Sequence, residues 1–314
     1  MHLDMGRRES TRPATVRDLQ LRAGRRLRVR TWPGHGRTLV LLHGLMDDSE
    51  GWAQFARDTD RPCVAIDLPG FGGSDLPSRP RISAYAEAVC EGIALLGLEE
   101  VLLVGHSLGG AVATAVAERC DPVVAVCLLA PAGFGRIGLA EVMAAPGLRQ
   151  AASLALPVAL VNPLTVTAGY STFVAHHRLP SADLLGRLAR RALHSGPGVT
   201  AATQALAASG RSRRGFAHRT ISFSGPVAAV WGSKDALVDP AHAEALRRAL
   251  PQAHVEVWEG MGHHPQRERP AELSAFLERH AASGRSRRPV PVPTPVADVP
   301  RPEAPVGRGR RRAA

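Results

Sequence analysis

What the sequence has little of removes several explanations before any motif is considered. Cysteine is scarce: Cys63, Cys90, Cys120 and Cys127 are the only four, and no pair is spaced as C-x-x-C. That pattern gives no disulfide framework and no cysteine-based zinc site, so buried free thiols in a reducing compartment are expected. No apolar run approaches the ~18–20 residues of a membrane span. The nearest, 151–161, is short and contains Pro157. The N-terminus is polar and charged without the apolar stretch of a secretory signal, so a cytoplasmic location is expected. Lysine is nearly absent: Lys234 stands alone against 38 arginines. Such a skew reads as coding bias in a GC-rich genome and weakens a functional reading of any single arginine.

The net charge of +11 invites a nucleic-acid reading until it is located. Residues 1–37 carry +7 and residues 283–314 carry +6, which leaves −2 for the body between them. A nucleic-acid groove needs its basic residues on the folded surface. With the charge at the two ends, no specific nucleic-acid function is expected.

What is present is a large apolar complement, 45% of 314 residues, enough for one large α/β domain or two small ones. Residues 1–15 read as a flexible N-terminus. Val16–Leu21 and Arg25–Arg30 alternate apolar and charged residues around Ala23-Gly24, a hairpin pattern with one solvated face. Thr38–Leu42, Pro62–Ile66, Val101–Val104 and Val123–Leu129 are continuous apolar runs, as in parallel strands covered on both faces. Helical patterns alternate with them at about 49–57, 82–97 and 107–119. That alternation predicts a mostly parallel, doubly wound sheet of about eight strands. It breaks at 133–220, where helical stretches appear without a clear strand. It resumes with strands at Pro226–Trp231 and His254–Trp258 and helices at Pro240–Leu250 and Pro270–His280. Residues 16–132 and 221–282 thus read as one core, interrupted by a helical insertion at 133–220. Residues 283–314 are rich in Pro and Arg with almost no large apolar groups, and read as a disordered tail with polyproline II bias. A passive solvating role suits the tail; weak electrostatic contact with anionic membranes or nucleic acid is the functional alternative.

The chemistry centres on Gly105-His106-Ser107-Leu108-Gly109, a G-x-S-x-G at the junction of a predicted strand and helix. A sharp turn there strains the serine backbone and brings neighbouring chain so close that side chains at 105 and 109 would clash. The result is an exposed hydroxyl at a helix N-terminus, whose dipole favours developing negative charge. A serine hydroxyl needs a base, and the base needs an orienting acid. Both should lie later in the chain, acid first, just past strand ends. Asp235 follows one such strand, with Asp239 a weaker candidate because Pro240 makes it an ordinary helix cap. His263 follows the next, with His264 its neighbour and rival. The oxyanion needs two backbone N–H donors. Leu108 supplies one, and Leu45 in His43-Gly44-Leu45-Met46 the other. His43 reads as a brace for that loop, and His106 as packing beside the elbow, with contact to substrate the alternative. Asp67 precedes Ser107 and reads as structural.

Together, LLHGLMDD at 41–48, DLPGFGGSD at 67–75, GHSLGG at 105–110, WGSKDALVDP at 231–240 and GMGHHPQRERP at 260–270 resemble the α/β-hydrolase superfamily, in its branch with an HG-x oxyanion loop. The resemblance spans about residues 16–282. It implies that His263 and Asp235, rather than His264 and Asp239, are the base and its acid, and that 133–220 is a cap over the site. Haloalkane dehalogenases and soluble epoxide hydrolases of this superfamily carry a carboxylate at the elbow, where this chain has Ser107. Hydrolysis of a carboxylic ester or thioester is therefore expected, without metal or organic cofactor. Acyl transfer, carbon–carbon hydrolysis and perhydrolysis are compatible with the same residues. A catalytically silent ligand-binding relative is the non-enzymatic rival, and the complete Ser, Asp and His set argues against it. Phe134, Tyr170, Phe173 and Phe216 in the insertion suggest an apolar acyl or ring pocket, unless they only pack the insertion onto the core. His176-His177 lack the carboxylate or cysteine partners of a metal site, and Arg211-Ser212-Arg213-Arg214 reads as a solvated charge run.

Overall fold

A computed structural model describes residues 12–145, 162–169, 171, 182–211 and 216–280. Eight strands form one sheet in the order β1-β2-β4-β3-β5-β6-β7-β8. They are β1 Thr15–Gln20, β2 Arg26–Trp32, β3 Thr38–Leu42, β4 Cys63–Ile66, β5 Val101–His106, β6 Val123–Leu129, β7 Val227–Gly232 and β8 His254–Trp258. β1 and β2 form the expected antiparallel hairpin, and β2 also runs antiparallel to β4. All other pairings are parallel. The composition of the strands follows their depth. β3 and β5 lie mid-sheet and are buried at every residue, whereas β1, at one edge, is exposed or half-buried throughout.

Alternate residues of the central strands face two separate apolar layers. Val40, Leu42, Val101 and Leu103 join one layer with α2 (Ile82–Leu95) and α3 (Leu108–Ala117). Leu39, Leu41, Leu102 and Val104 join the other, with α1 (Ala53–Asp58) below them. Cys63, Cys120 and Cys127 are buried free thiols, as expected, and Cys90 is a half-buried one. Burial pushes the Cys63 thiol up to about 12, so it stays protonated at neutral pH.

Between β6 and β7 the described residues contain α4 (Gly138–Ala144), α5 (Pro163–Gly169), α6 (Ala182–Arg211) and a 3-10 turn at Phe216–His218, and no strand. Among the described residues, buried side chains of these helices join the main core. Ala140, Val199, Ala202, Ala205 and Leu206 belong to the α2/α3 layer. Phe134 and Phe216 face each other at 5.7 Å and are both buried. They pack against each other at this junction. α6 also touches the glycine loop after β4: a side chain at Gly198 would overlap the Gly70 carbonyl, so only two glycines allow this approach. After β7 come α7 (His242–Ala249), α8 (Pro265–Glu268) and α9 (Pro270–His280). Tyr170, Phe173, His176, His177 and residues 212–214 lie outside the described residues, as do 1–11 and 283–314.

The strand order reverses at β3, which has β4 on one side and β5 on the other. In an open parallel sheet the crevice beyond the strand C-termini at such a reversal is where ligands bind. Leu42 and His106 end these strands, so His43–Leu45 and Ser107 open onto that crevice.

Candidate active site

Ser107 sits between the last residue of β5 and the first of α3, with φ 53° and ψ −115°. A non-glycine residue avoids this region unless its surroundings hold it there. Here its N–H donates to Leu129 at 2.9 Å, and its carbonyl accepts from Gly110 at 2.9 Å and Ala132 at 3.0 Å. The flanking glycines are steric necessities. A Cβ at Gly105 would overlap the Gly109 carbonyl, and one at Gly109 would overlap the carbonyls of Leu42 and His43. Among the described residues the Ser107 hydroxyl has no hydrogen-bond partner. The N–H groups of Leu108 and Leu45 likewise donate to no described residue. Gly44 lies directly against the elbow: a Cβ there would come 2.8 Å from His106 Nδ1 and 3.3 Å from Ser107 Cβ.

Asp235 and His263 meet across the loops that follow β7 and β8. His263 Nδ1 and Asp235 Oδ2 are 2.7 Å apart, with both side chains buried. The other carboxylate oxygen, Oδ1, accepts the N–H groups of Leu237 and Val238 at 2.9 Å each. The carboxylate is thus fixed from one side by backbone and offered to the imidazole on the other. His264 does not share it, and its Nδ1 is buried without a hydrogen-bond partner among the described residues. Asp239 caps the start of the next helical turn, accepting from the Ala241 N–H at 2.8 Å. Close packing of the two loops demands Gly232, because a Cβ there would overlap the carbonyls of Met261 and Gly262.

Two residues hold the backbone around His263, and one of them attaches it to the elbow. Glu268, from α8, accepts the N–H of Gly262 at 2.9 Å and of His264 at 3.0 Å, one on each side of His263. His106 Nε2 donates to the His263 carbonyl at 2.8 Å, and the two rings lie 4.8 Å apart. The residue preceding Ser107 is therefore bonded to the backbone of His263. Arg267 adds an ion pair to Asp47 in the loop after β3. In sequence terms His106 reads as packing beside the elbow or as touching substrate, and neither reading gives it this bond; nothing in the sequence singles out Glu268, Asp47 or Arg267. The quoted motifs contain all four residues, but nothing local marks which carboxylate will reach which N–H.

His43 and Asp67 each hydrogen-bond to loop backbone. His43 Nε2 accepts the Leu68 N–H at 2.9 Å, which leaves Nδ1 to donate to the Gly44 carbonyl at 2.7 Å. Asp67 accepts from Ser49 at 2.7 Å and from Gly73 at 2.8 Å.

The His106 and His264 rings lie 4.5 Å apart, tilted by 49°, beside His263. Burial lowers the pKa of both well below the ordinary histidine value. The next cause is His263 for His106, and His106 for His264. Both rings therefore stay neutral in the folded chain at pH values where the unfolded chain would protonate them. Their contribution to stability is complete above about pH 6.5, the unfolded value, and is lost as pH falls from there toward the folded values. Each adds a slope of up to about 1.4 kcal/mol per pH unit. Urea unfolding followed at about pH 7.5 and about pH 5.5 should show lower stability in acid, and His264→Gln should flatten the dependence. A profile identical in that variant would contradict the assignment of the slope to this cluster.

The chain also matches known proteins. The model of a family described as "Alpha/beta hydrolase family" matches residues 39–276. A protein of Mycobacterium tuberculosis is 30% identical over 268 residues, covering 78% of this chain and 75% of its own length. A dihydrolipoyllysine-residue acetyltransferase component of the acetoin cleaving system of Cupriavidus necator is 31% identical over 271 residues, covering 82% of this chain and 67% of its own length. Among solved structures, the epoxide hydrolase CorEH without ligand superposes with a TM-score of 0.70 at 21% identity, covering 85% of this chain and 99% of its own. The chain belongs to the α/β-hydrolase family and is an enzyme of that class, with the eight-stranded, mostly parallel sheet expected from its sequence. Among the described residues no helix is long and apolar enough to cross a membrane.

Proposed function

We propose that this chain is a serine hydrolase that cleaves a carboxylic ester or thioester of a small apolar acyl group through an acyl-enzyme. The observation that carries the reading is the bonded Asp235–His263 pair, anchored by His106 to the strained elbow that presents Ser107. In this mechanism the Ser107 Oγ attacks the substrate carbonyl while His263 Nε2 takes its proton. Asp235 holds the Nδ1 proton and stabilises the imidazolium that forms. The carbonyl oxygen, now negative, is received by the N–H groups of Leu45 and Leu108, whose freedom from other acceptors suits this task. Collapse breaks the bond to the leaving alkoxide or thiolate, which takes the proton from His263. Water then attacks the acyl-enzyme, giving its proton to His263, and the serine is released with the free acid. No step calls on a metal or organic cofactor.

In the same reading, 133–220 forms a cap over a core of 16–132 and 221–282, and the contact of α6 on the Gly70 loop is where the cap rests. The chain works in the cytoplasm, and the 283–314 tail makes at most weak electrostatic contact with anionic membranes or nucleic acid.

The name of the Cupriavidus necator relative favours one second reading, transfer of the acyl group to an acceptor other than water. Both readings share the acyl-enzyme and differ in what takes the acyl group. The test is turnover of p-nitrophenyl esters of increasing acyl length, with and without a primary alcohol. Hydrolysis predicts that free acid dominates and is little changed by the alcohol. Acylated alcohol as the main product would replace hydrolysis with acyl transfer. No turnover of any ester would sink both.

A further inference from the structure

A second group of chemically capable side chains lies on the outer strand. His254 and Glu256 are two residues apart on β8, and so project from the same face of the strand. His280, the last residue of α9, reaches the same carboxylate. Glu256 Oε1 is 2.9 Å from His254 Nε2 and 3.6 Å from His280 Nε2. The two imidazoles are stacked, with centroids 3.7 Å apart and planes 11° from parallel. This face also has a fixed floor. The Trp258 indole N–H donates to Glu256 Oε2 at 2.7 Å, which leaves Oε1 turned to the histidines. The fully buried Phe276 ring lies within 6.0 Å of His254, 5.0 Å of His280 and 5.8 Å of Trp258.

We propose that His254, Glu256 and His280 bind one divalent transition-metal ion of the zinc class, tying β8 to the end of α9. Two imidazoles and a carboxylate are the ligand types such ions take, and a tetrahedral ion with arms of about 2.0–2.1 Å sets its ligand atoms about 3.3 Å apart. The observed 2.9 and 3.6 Å bracket that spacing, and the three ligand atoms all lie within 4.8 Å of one another. Trp258 plays the part of the outer hydrogen bond that orients a ligating carboxylate. Two adjustments accompany binding. The His254 proton shared with Glu256 moves to Nδ1 through solvent, a tautomer change with no net proton release. The stacked rings tilt so that their Nε2 lone pairs converge on the ion, with His254, the most exposed of the three, turning furthest. A fourth position faces solvent.

This site is separate from the hydrolytic one and does not depend on that reading. His254 opens β8, whereas the loop carrying His263 follows its far end, about 13 Å of strand away. The sequence gives no hint of it, because His280 lies 24 positions beyond Glu256 with no metal-ligand spacing.

The test is isothermal titration of ZnCl2 into the full chain, freed of metal by a chelator, beside Glu256→Gln and His280→Gln. The expected result is a micromolar site of one ion per chain in the wild type, weakened at least tenfold in each variant. Melting curves without zinc show whether each variant is folded, and either one suffices. Zinc should raise the melting temperature of the wild type but not of a folded variant. Zinc bound equally well by a folded variant and the wild type would overturn the site, as would no binding at all.

Discussion

Ser107→Ala removes turnover: kcat on a short p-nitrophenyl ester falls by about 100,000-fold or more, with little change in KM. The size follows from what is lost. In the proposed mechanism the Ser107 oxygen is the atom that bonds to the acyl carbon. His106 and His264 are held neutral by burial, but neither ring is paired with a carboxylate. What survives is binding and the N–H groups of Leu45 and Leu108, worth a small residual rate over water. The fold should be kept. Alanine meets the same strain at φ 53° as serine, and the Ser107 hydroxyl makes no hydrogen bond to a described residue that its loss would break. Steady-state rates with a circular dichroism spectrum decide the matter. A loss of less than tenfold in a folded variant would remove Ser107 from the mechanism.

Asp235→Asn should cost about 10,000-fold in kcat while leaving the loops in place. The reason lies in the two sides of the carboxylate. Oδ1 accepts two backbone N–H groups, from Leu237 and Val238, so an asparagine must keep its carbonyl oxygen there. Its NH2 is then forced toward His263 Nδ1, where the carboxylate oxygen sat at 2.7 Å. A donor at that place selects the tautomer with its proton on Nε2, and that nitrogen can no longer take the serine proton. The variant should therefore fold and bind substrate but fail in the proton transfer. Rates and KM values for ester hydrolysis check this. A large rise in KM with kcat preserved would show instead that Asp235 only shapes the pocket.

The parts of the site that could be read from the sequence are those whose geometry is local. Gly105, Ser107 and Gly109 lie within five residues, and the turn they make is dictated by the clashes that any Cβ would cause. The alternating apolar runs likewise announced β3, β5, β6 and β7, because a strand covered on both faces has little choice of residue. Asp235 and His263 were legible by position, since each follows a recognisable strand. Choosing His263 over His264 needed either family resemblance or the bonded pair itself, as adjacent residues have the same spacing from everything else. The clamp by Glu268 and His106 was not legible. It depends on how the backbone after β8 folds back on itself, and on a contact between positions 157 residues apart. The ion pair of Asp47 with Arg267 spans 220 residues and was hidden for the same reason. Among its described residues the 133–220 stretch carries helices, a pattern its sequence also suggests. Its aromatic residues Phe134 and Phe216 are equally good at packing a junction, and that is where they are found.

The central claim is that Ser107 is a nucleophile primed by His263 and Asp235, and covalent labelling tests it most directly. The purified chain is treated with a fluorophosphonate, its intact mass is measured, and the modified peptide is sequenced. A single adduct on Ser107, formed quickly in the wild type, slowly in Asp235→Asn and not at all in Ser107→Ala, is the predicted result. An unlabelled wild-type chain that still hydrolyses esters, or an adduct on another residue, would contradict it.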